Sequence, residues 1–307
     1  MDTFKDTRET LATVKDFIRW GASRFNEASL FFGHGTDNAA DEAAWLVLHA
    51  LHLPPDMPDS FFECRLTDAE KRAVYELLVQ RIETRKPAAY LTGEIWFKGL
   101  RFVVDDRVLV PRSSLAELIE NHFTPWIKPG NVHRVLDLCT GSACIAVACA
   151  LEFPESRVDA ADISSDALAV AEQNVARYGL QDDVRLMRSD LFGALSDDDQ
   201  YNIIISNPPY VSDAEIETLP EEYNHEPRLG LDGGGDDGLD LVARLLHDAP
   251  AHLQAGGILV VEVGDSWPAL QARYPAVDFT WLDYERGEQG AFLLTKEQLE
   301  EHQKKFT

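Results

Sequence analysis

The chain has 307 residues and a formal net charge of −25. This charge argues against a stable grip on nucleic-acid phosphates, which needs clustered lysine and arginine. It is compatible with a basic protein partner and equally with a solubility or salt adaptation of the host. Hydrophobic residues make up 45% of the sequence, enough for a globular core, and no apolar run is long enough to span a bilayer.

The cysteines and the first residues bear on the cell compartment. Cys64, Cys139, Cys144 and Cys149 lack the spacing of metal ligands, so we expect buried, reduced thiols and no metal. Residues 1–6 show no basic stretch followed by an apolar core, so we expect no signal peptide. These features together predict a cytoplasmic protein with no membrane partner.

Residues 1–89 carry helical patterns. Apolar residues three and four apart predict amphipathic helices near 11–25, 38–51 and 67–82. Capping residues at Asn38 and Thr67 start the second and third helices, and prolines end both. We therefore expect a small N-terminal helical domain, with an exposed turn of aromatic residues and glycines at 31–35.

Residues 90–112 carry a different pattern, which predicts a β-hairpin that links two domains. Two short apolar runs, 95–97 and 100–104, flank a tight glycine turn. Arg112 follows a proline, either as a surface charge or pointing into a site from the domain junction. Ser113 is then expected to cap the next helix.

From residue 113 to residue 307, strands alternate with helices. The predicted strands are 134–138, 158–162, 184–187, 201–206, 257–263, 277–282 and 291–294. This alternation predicts an α/β fold with a mostly parallel, doubly wound sheet. The last two strands have too few residues between them for a crossover helix, so we expect them to pair antiparallel.

Asn207, Pro208, Pro209 and Tyr210 stand at the carboxyl end of the strand 201–206. Prolines cannot donate to a sheet ladder, so the strand must stop there and present rigid polar groups at its rim. In an open α/β sheet, ligands bind at this rim. For the tetrapeptide taken alone, a plain strand-ending turn is the alternative.

A nucleoside-binding arrangement precedes the tetrapeptide. Asp137 lies inside the first strand of the sheet, a loop with Gly141 follows, and Asp162 ends the next strand, where it can meet ribose hydroxyls. The helix that opens after Ser142 offers free N–H groups to a carboxylate or phosphate. Dinucleotide-binding loops keep three glycines and this loop has one, which weakens an NAD-binding interpretation.

The whole pattern resembles the class I S-adenosylmethionine-dependent methyltransferases, and the tetrapeptide resembles their signature for methylating a planar nitrogen. Other stretches resemble the HemK-type protein glutamine methyltransferase family, closest to its PrmB-type members, which methylate large-subunit ribosomal protein L three. These stretches are 32–38, 109–112, 137–142, 223–227, 229–231 and 279–282. The resemblance covers about 14–299 and implies a Rossmann-like, mostly parallel seven-stranded sheet with an antiparallel last strand.

The resemblance implies that S-adenosyl-L-methionine is the cofactor. The expected cofactor-binding residues are Asp137, Thr140, Gly141, Ser142, Ala143, Cys144, Asp162, Asp190 and Asn207. Within this set the loop 140–144 takes the methionine part, Asp162 takes the ribose hydroxyls, and Asp190 lies near the adenine. The family loop commonly reads Gly-Ser-Gly-Cys, so Ala143 is a departure. Alanine fits if this residue keeps a negative φ, and we expect cofactor binding to survive, at most weakened.

The resemblance also implies how the target glutamine is held. The expected substrate-binding residues are Arg112, Asn207, Pro208, Pro209 and Tyr210. The side-chain oxygen of Asn207 and the backbone oxygen of Pro208 accept the two amide hydrogens, and Tyr210 packs on the planar amide. These three are the expected catalytic residues, and residues 1–89 are expected to recognise the substrate.

The segment after Tyr210, up to about Gly238, is long and rich in glycine. Such a segment beside a site is either a mobile lid or a disordered surface loop. Its acids Asp232, Asp236 and Asp237 are candidates to meet a basic substrate.

Four functions remain open at this stage. The first is methylation of a glutamine in ribosomal protein L three, and the second is the same chemistry on a peptide release factor. The third is a DNA amino-methyltransferase, which the charge disfavours, and the fourth is a cofactor-binding regulator without catalysis. The sequence predicts no oligomeric state.

Overall fold

A computed structural model gives the fold of residues 4–284 and 290–306. The chain forms two compact units. The helical unit comprises Met1–Ile95 and Pro220–His225, and the sheet unit comprises Trp96–Leu219 and Glu226–Thr307. The chain therefore leaves the sheet unit after Leu219 and returns to it at Glu226.

The helical unit contains the predicted helices and further short ones. Its helices are α1 (Phe4–Thr10), α2 (Val14–Glu27), α3 (Ala39–Ala50), α4 (Asp68–Thr84) and α5 (Ala88–Thr92). The predicted cap at Asn38 and the capping box at Thr67 are confirmed. The first predicted helix begins too early, because Leu11 lies in the break between α1 and α2.

Apolar faces of the three longer helices form the core of the helical unit. Phe17 and Phe25 of α2, Leu46 of α3 and Leu78 of α4 are all fully buried. Burying a large apolar side chain contributes about 1.5–3 kcal/mol, so these positions hold the three helices together.

The segment Pro220–His225 completes the helical unit. The Oε1 atom of Glu222 accepts a hydrogen bond from the backbone N–H of Phe31 at 3.0 Å. The ring of Tyr223 lies 4.6 Å from the ring of His34, which is only 1% exposed. The predicted exposed turn at 31–35 is therefore wrong, because a distant part of the chain packs against it.

The predicted hairpin is confirmed. Strand β1 (Glu94–Phe97) pairs with β2 (Leu100–Val103). The turn residues Lys98 and Gly99 have φ values of +52° and +70°. Positive φ at both central residues suits the right-handed twist of a two-residue hairpin, and glycine adopts it without strain.

The sheet unit carries the predicted α/β alternation. Its elements are α6 (Leu115–Glu120), β3 (Arg134–Leu138), α7 (Cys144–Glu152), β4 (Arg157–Asp162), α8 (Ser165–Arg177), β5 (Val184–Arg188), β6 (Tyr201–Ser206), α9 (Asp213–Ile216), α10 (Asp240–His252), β7 (Leu253–Glu262), α11 (Trp267–Arg273), β8 (Thr280–Trp281), β9 (Ala291–Thr295) and α12 (Lys296–His302). Within the described residues, seven strands form a sheet in the order β5-β4-β3-β6-β7-β9-β8. Strands β3 to β7 are parallel and β9 is antiparallel to both of its neighbours, as predicted.

The end of the sheet unit differs in detail from the prediction. Strand β8 has two residues where 277–282 was predicted, and the linker residues 285–289 lie outside the described ranges. Helices α11 and α12 were not predicted. Helix α6 is capped at Ser114 rather than Ser113, although the Ser113 hydroxyl accepts a hydrogen bond from Leu115 N.

The cysteines are free thiols. Cys144 and Cys149 are buried, as predicted, whereas Cys139 is half-buried and Cys64 is exposed, which corrects the expectation for these two. Along residues 4–284 and 290–306, no helix is long and apolar enough to cross a membrane. The same residues contain no cluster of His, Cys, Asp and Glu suited to a metal ion.

Candidate active site

A cavity of about 270 Å³ opens in the sheet unit at the carboxyl ends of the parallel strands. Loops leave parallel strands together at this edge, where open α/β sheets bind ligands. Of the predicted site residues, the cavity is lined by Arg112, Thr140, Gly141, Ser142, Cys144, Asp162, Asp190, Asn207 and Pro209. The predicted residues outside its lining are Asp137, Ala143, Pro208 and Tyr210.

The loop between β3 and α7 forms one wall of the cavity and has a strained backbone. The φ values of Cys139, Gly141 and Ala143 are +59°, +55° and +62°. A non-glycine residue in this left-handed region costs roughly 1–2 kcal/mol. The condition for a strain-free fit of Ala143, a negative φ, is therefore not met, and an alanine caps α7 in a conformation that favours glycine.

Asp137 supports this loop from inside the sheet. Its Oδ2 atom accepts hydrogen bonds from the Thr140 hydroxyl at 2.5 Å and from Ala146 N at 3.1 Å. The carboxyl is fully buried, and burial raises its pKa to about 7. Asp137 therefore fixes the loop that faces the cavity and does not itself line the cavity.

Asp162 ends β4 and lines the cavity. Its two carboxylate oxygens accept hydrogen bonds from Gly141 N and Ser164 N, each at 2.9 Å. Burial raises the pKa of this carboxyl, and the two N–H donors act in the opposite direction by stabilising the charge. The geometry leaves a carboxylate in position for hydroxyl donors in the cavity.

Asp190 follows β5 and is more exposed than Asp162. Its Oδ1 atom accepts a hydrogen bond from Arg244 Nη2 at 2.9 Å, and both residues line the cavity. The next residue, Leu191, has a φ of +46°. The chain therefore turns sharply at this point of the cavity wall.

The tetrapeptide 207–210 begins directly after β6. Asn207 is half-buried and lines the cavity, whereas Pro208 and Pro209 are buried. The Ser206 hydroxyl donates a hydrogen bond to Leu138 O at 2.8 Å. This bond ties the end of β6 to the end of β3, so Asn207 is held beside the loop that follows β3.

Arg112 lines the cavity. Of the two predicted possibilities, a surface charge or a residue that points into a site, the second therefore holds. Its guanidinium donates to both carboxylate oxygens of Glu226, at 2.7 and 2.9 Å. Glu226 is buried and its Oε1 atom also accepts a hydrogen bond from Val110 N at 2.9 Å. In the sequence, Glu226 stands out only within the family-like stretch 223–227, and no local pattern indicates its partner.

Glu262 is a second buried acid that sequence reasoning missed. It ends β7, and its Oε2 atom accepts a hydrogen bond from the Ser113 hydroxyl at 2.5 Å. Burial raises the pKa of this carboxyl to about 7, while the nearby charge of Arg112 acts to lower it. The sequence feature that could have identified Glu262 is an acid at the end of an otherwise apolar strand, the same feature that identified Asp162.

The segment from Tyr210 to Gly238 has local structure that the sequence did not predict. It contains α9 and two 3₁₀ helices, Glu221–His225 and Arg228–Gly230. Its base is closed by hydrogen bonds from Val211 N to Leu231 O and from Gly233 N to Val211 O. The disordered alternative is therefore wrong, and lid motion stays a prediction.

Two acids of this segment make contacts within the sheet unit. Asp232 accepts a hydrogen bond from Gly234 N at 3.0 Å and lies near Arg228, and Asp237 pairs with Arg273 at 3.2 Å. These contacts shape the segment itself. They weaken the expectation that Asp232 and Asp237 serve a basic substrate.

Both units of the chain match known protein families. A model described as Methyltransferase small domain matches residues 116–223, and one described as PrmC N-terminal domain matches residues 16–93. A ribosomal protein uL3 glutamine methyltransferase of Bordetella pertussis is 50% identical over 295 residues, which cover 96% of this chain and 98% of that protein. Its counterpart in Xanthomonas campestris pv. campestris is 51% identical over 299 residues, covering 97% and 96%.

This chain belongs to the ribosomal protein uL3 glutamine methyltransferase family. Its fold is shared with a solved structure, the hMettl16 catalytic domain in complex with MAT2A 3′UTR hairpin 1. The two are 16% identical, the match covers 91% of each chain, and the TM-score is 0.51. The predicted class I methyltransferase fold is therefore confirmed.

S-adenosyl-L-methionine is the cofactor of this methyltransferase, and the residues present fit it. A Cβ atom added at Gly141 meets nothing within 4 Å, so the backbone there faces open space. Asp162 offers a carboxylate on the same cavity wall. A glycine that opens the wall and an acid that ends the next strand suit a nucleoside ligand.

Proposed function

We propose that this protein transfers a methyl group from S-adenosylmethionine to the side-chain amide nitrogen of a glutamine in ribosomal protein uL3. One observation carries the proposal: Asn207 lines the same cavity as Thr140 and Asp162. The relatives that are about 50% identical over nearly the whole chain are named for this reaction.

The roles proposed for the cavity residues toward the cofactor are those that the family resemblance implies. Asp162 accepts hydrogen bonds from the ribose hydroxyls, the loop 140–144 holds the methionine part, and Asp190 lies toward the adenine. Asp137 acts by holding the loop. The bound cofactor supplies an electrophilic methyl group on a positively charged sulfur.

Asn207 and Pro208 prepare the acceptor. An amide nitrogen is a poor nucleophile because its lone pair is delocalised into the carbonyl group. The side-chain oxygen of Asn207 and the backbone oxygen of Pro208 accept its two N–H bonds, which fixes the nitrogen in line and draws electron density toward it. Tyr210 packs against the planar amide.

The reaction needs no strong base before the transfer. Once the nitrogen carries the methyl group it is positively charged, and it then gives one proton to solvent. The work of this chain is therefore positioning and electrostatic stabilisation, and a single lost acceptor has a large effect.

The division of labour along the chain is part of the proposal. Residues 1–89 recognise the protein substrate, residues 90–112 form the hairpin linker, and residues 113–307 carry methyl transfer. The match of residues 16–93 to the PrmC N-terminal domain and of residues 116–223 to a methyltransferase domain supports this division.

The acidic charge favours a free protein substrate that is basic over nucleic acid. The test is incubation with labelled cofactor and three acceptors: purified uL3, a peptide release factor and DNA. We expect label in uL3 alone. Label in the release factor but not in uL3 would show that the release factor is the substrate. Label only in DNA would contradict protein glutamine methylation altogether.

A further inference from the structure

We propose that Gly264 and Ser266 are positioning residues that set the ring and backbone of Tyr210. Both belong to the 3₁₀ turn Gly264–Ser266 after β7, a part of the sheet unit that the cavity lining does not include. The inference rests on the proposed function, because it concerns the tetrapeptide that receives the glutamine amide.

Gly264 leaves room for the aromatic ring. A Cβ atom built on Gly264 would lie 2.7 Å from Cε2 and 2.8 Å from Cζ and Oη of Tyr210. Real Cβ atoms do not approach other atoms this closely. The ring of Tyr210 therefore occupies the space that any side chain at position 264 would need.

Gly264 also packs closely against the backbone of Gly290. A Cβ atom built on Gly290 would collide with Gly264 O and lie 2.8 Å from Gly264 Cα. Gly290 O also accepts a hydrogen bond from Val263 N at 2.7 Å. The turn is thus tied to Gly290, and we infer that a methyl group placed on Gly264 would be accommodated by a shift of the tyrosine ring, which is the end of a side chain.

The backbone of Tyr210 is held as closely as its ring. The Ser266 hydroxyl donates a hydrogen bond to Tyr210 O at 2.8 Å. From the other side, a Cβ atom built on Gly233 would lie 2.8 Å from Tyr210 Cα, and one built on Gly238 would collide with Tyr210 O. Tyr210 is thus enclosed between the turn after β7 and the base of the long segment 211–238.

This enclosure gives the tetrapeptide a fixed direction. Two buried prolines stiffen its middle, and the enclosure fixes its last residue. The carbonyl of Pro208 and the ring of Tyr210 are then set relative to each other before the amide arrives. Such preorganisation matters because a misplacement of about 1 Å at a reacting group can cost roughly 100-fold in rate.

The first variant is Gly264→Ala, with Gly256→Ala as its matched control. Gly256 has a φ of +71° and its added Cβ meets nothing within 4 Å, so it carries the backbone strain without the ring contact. We expect Gly264→Ala to lower kcat for uL3 methylation roughly 10- to 100-fold with an unchanged cofactor Kd. Gly256→Ala should retain wild-type kcat, and equal losses in both variants would overturn the proposal.

Two further variants guard against a folding defect. Ser266→Ala removes the bond to Tyr210 O without adding volume and should lower kcat roughly 2- to 10-fold. In a double-mutant cycle, Gly264→Ala should cause no further loss of kcat when Tyr210 is already replaced by alanine. Full additivity in that cycle would contradict the proposal.

A readout without turnover separates this inference from the proposed function. Fluorotyrosine is incorporated, and the signal of Tyr210 is identified by its loss in Tyr210→Phe. Gly264→Ala should shift this fluorine resonance, and Gly256→Ala should not. An unmoved resonance in Gly264→Ala overturns the inference even if wild-type protein methylates uL3, whereas a shift in a protein that leaves uL3 unmodified contradicts only the proposed function.

Discussion

Arg112, which lines the cavity, donates two parallel hydrogen bonds to the buried Glu226 behind it, Nη1 to Oε1 at 2.7 Å and Nη2 to Oε2 at 2.9 Å. The same Oε1 atom holds Val110 N. This pair joins the segment before α6 to the point where the chain re-enters the sheet unit. Arg112 is therefore a charge already compensated in the wall, and its guanidinium orders two cavity segments.

Glu226→Gln should destabilise the protein by roughly 1–3 kcal/mol, because it leaves a guanidinium in the wall without its opposite charge. Denaturant unfolding of the variant measures this change. Asp213→Asn, which breaks the exposed pair with Arg228, is the control and should cost no more than about 1 kcal/mol. Equal effects in the two variants would show that the cavity pair contributes no more than a surface pair.

Asp162→Ala should weaken cofactor binding by roughly 10- to 100-fold, since hydrogen bonds to a charged group contribute about 1.5–3 kcal/mol. Isothermal titration calorimetry gives the Kd directly. Asp166→Ala removes an exposed acid from the same chain region and should leave the Kd unchanged. An Asp162→Ala variant with wild-type affinity would place the ribose elsewhere.

Glu42→Gln should lower the free energy of unfolding by about 3–5 kcal/mol, the usual cost of removing one partner of a buried pair. Glu42 and Arg81 are both fully buried, with Oε1 and Nε at 2.7 Å. Glu76→Gln breaks an exposed pair with Arg72 on α4 and is expected to change stability by less than about 1 kcal/mol. Chemical denaturation of both variants measures the two changes in the free energy of unfolding. A loss for Glu42→Gln as small as that for Glu76→Gln would contradict the prediction.

The stability of the protein should depend on pH through Glu262. The pKa of this carboxyl is 4.5 without burial and about 7 in the fold, so the folded state keeps a proton that the unfolded state releases. Stability from this group is fully present below about pH 4.5, falls as the pH rises, and is lost above about pH 7. Glu262→Gln should reduce this slope and leave the part that Asp137 contributes, since the pKa of Asp137 is also raised to about 7. Replacement of the exposed Glu155 by glutamine should keep the full slope.

The succession of strands and helices along the chain and the place of the site could be predicted because they depend on local patterns. Asp137, Asp162 and Asn207 each stand at or near the end of a buried apolar run, and parallel strands bring such ends together. The capping box at Thr67 and the turn at Gly99 could also be predicted, because each depends on residues that are close together in the sequence.

What could not be predicted depends on distant residues or on backbone angles. His34 packs against Tyr223, which lies far along the chain. The role of Glu226 depends on its hydrogen bonds to Arg112, which is 114 residues away in the sequence. The positive φ of Ala143 had no signal in the chain itself, because alanine normally indicates a negative φ. The need for glycine at position 264 likewise depends on the ring of Tyr210, which is distant in the sequence and packs against it only in the fold.

The most direct test of the proposed reaction is peptide mass spectrometry of uL3 after incubation with the wild-type protein and with Asn207→Ala. We expect one methyl group on the side-chain amide of a glutamine with wild-type protein, and no modification with Asn207→Ala although its cofactor Kd stays close to the wild-type value. A methyl group on any other residue type, or an Asn207→Ala variant that still modifies the glutamine, would contradict the account.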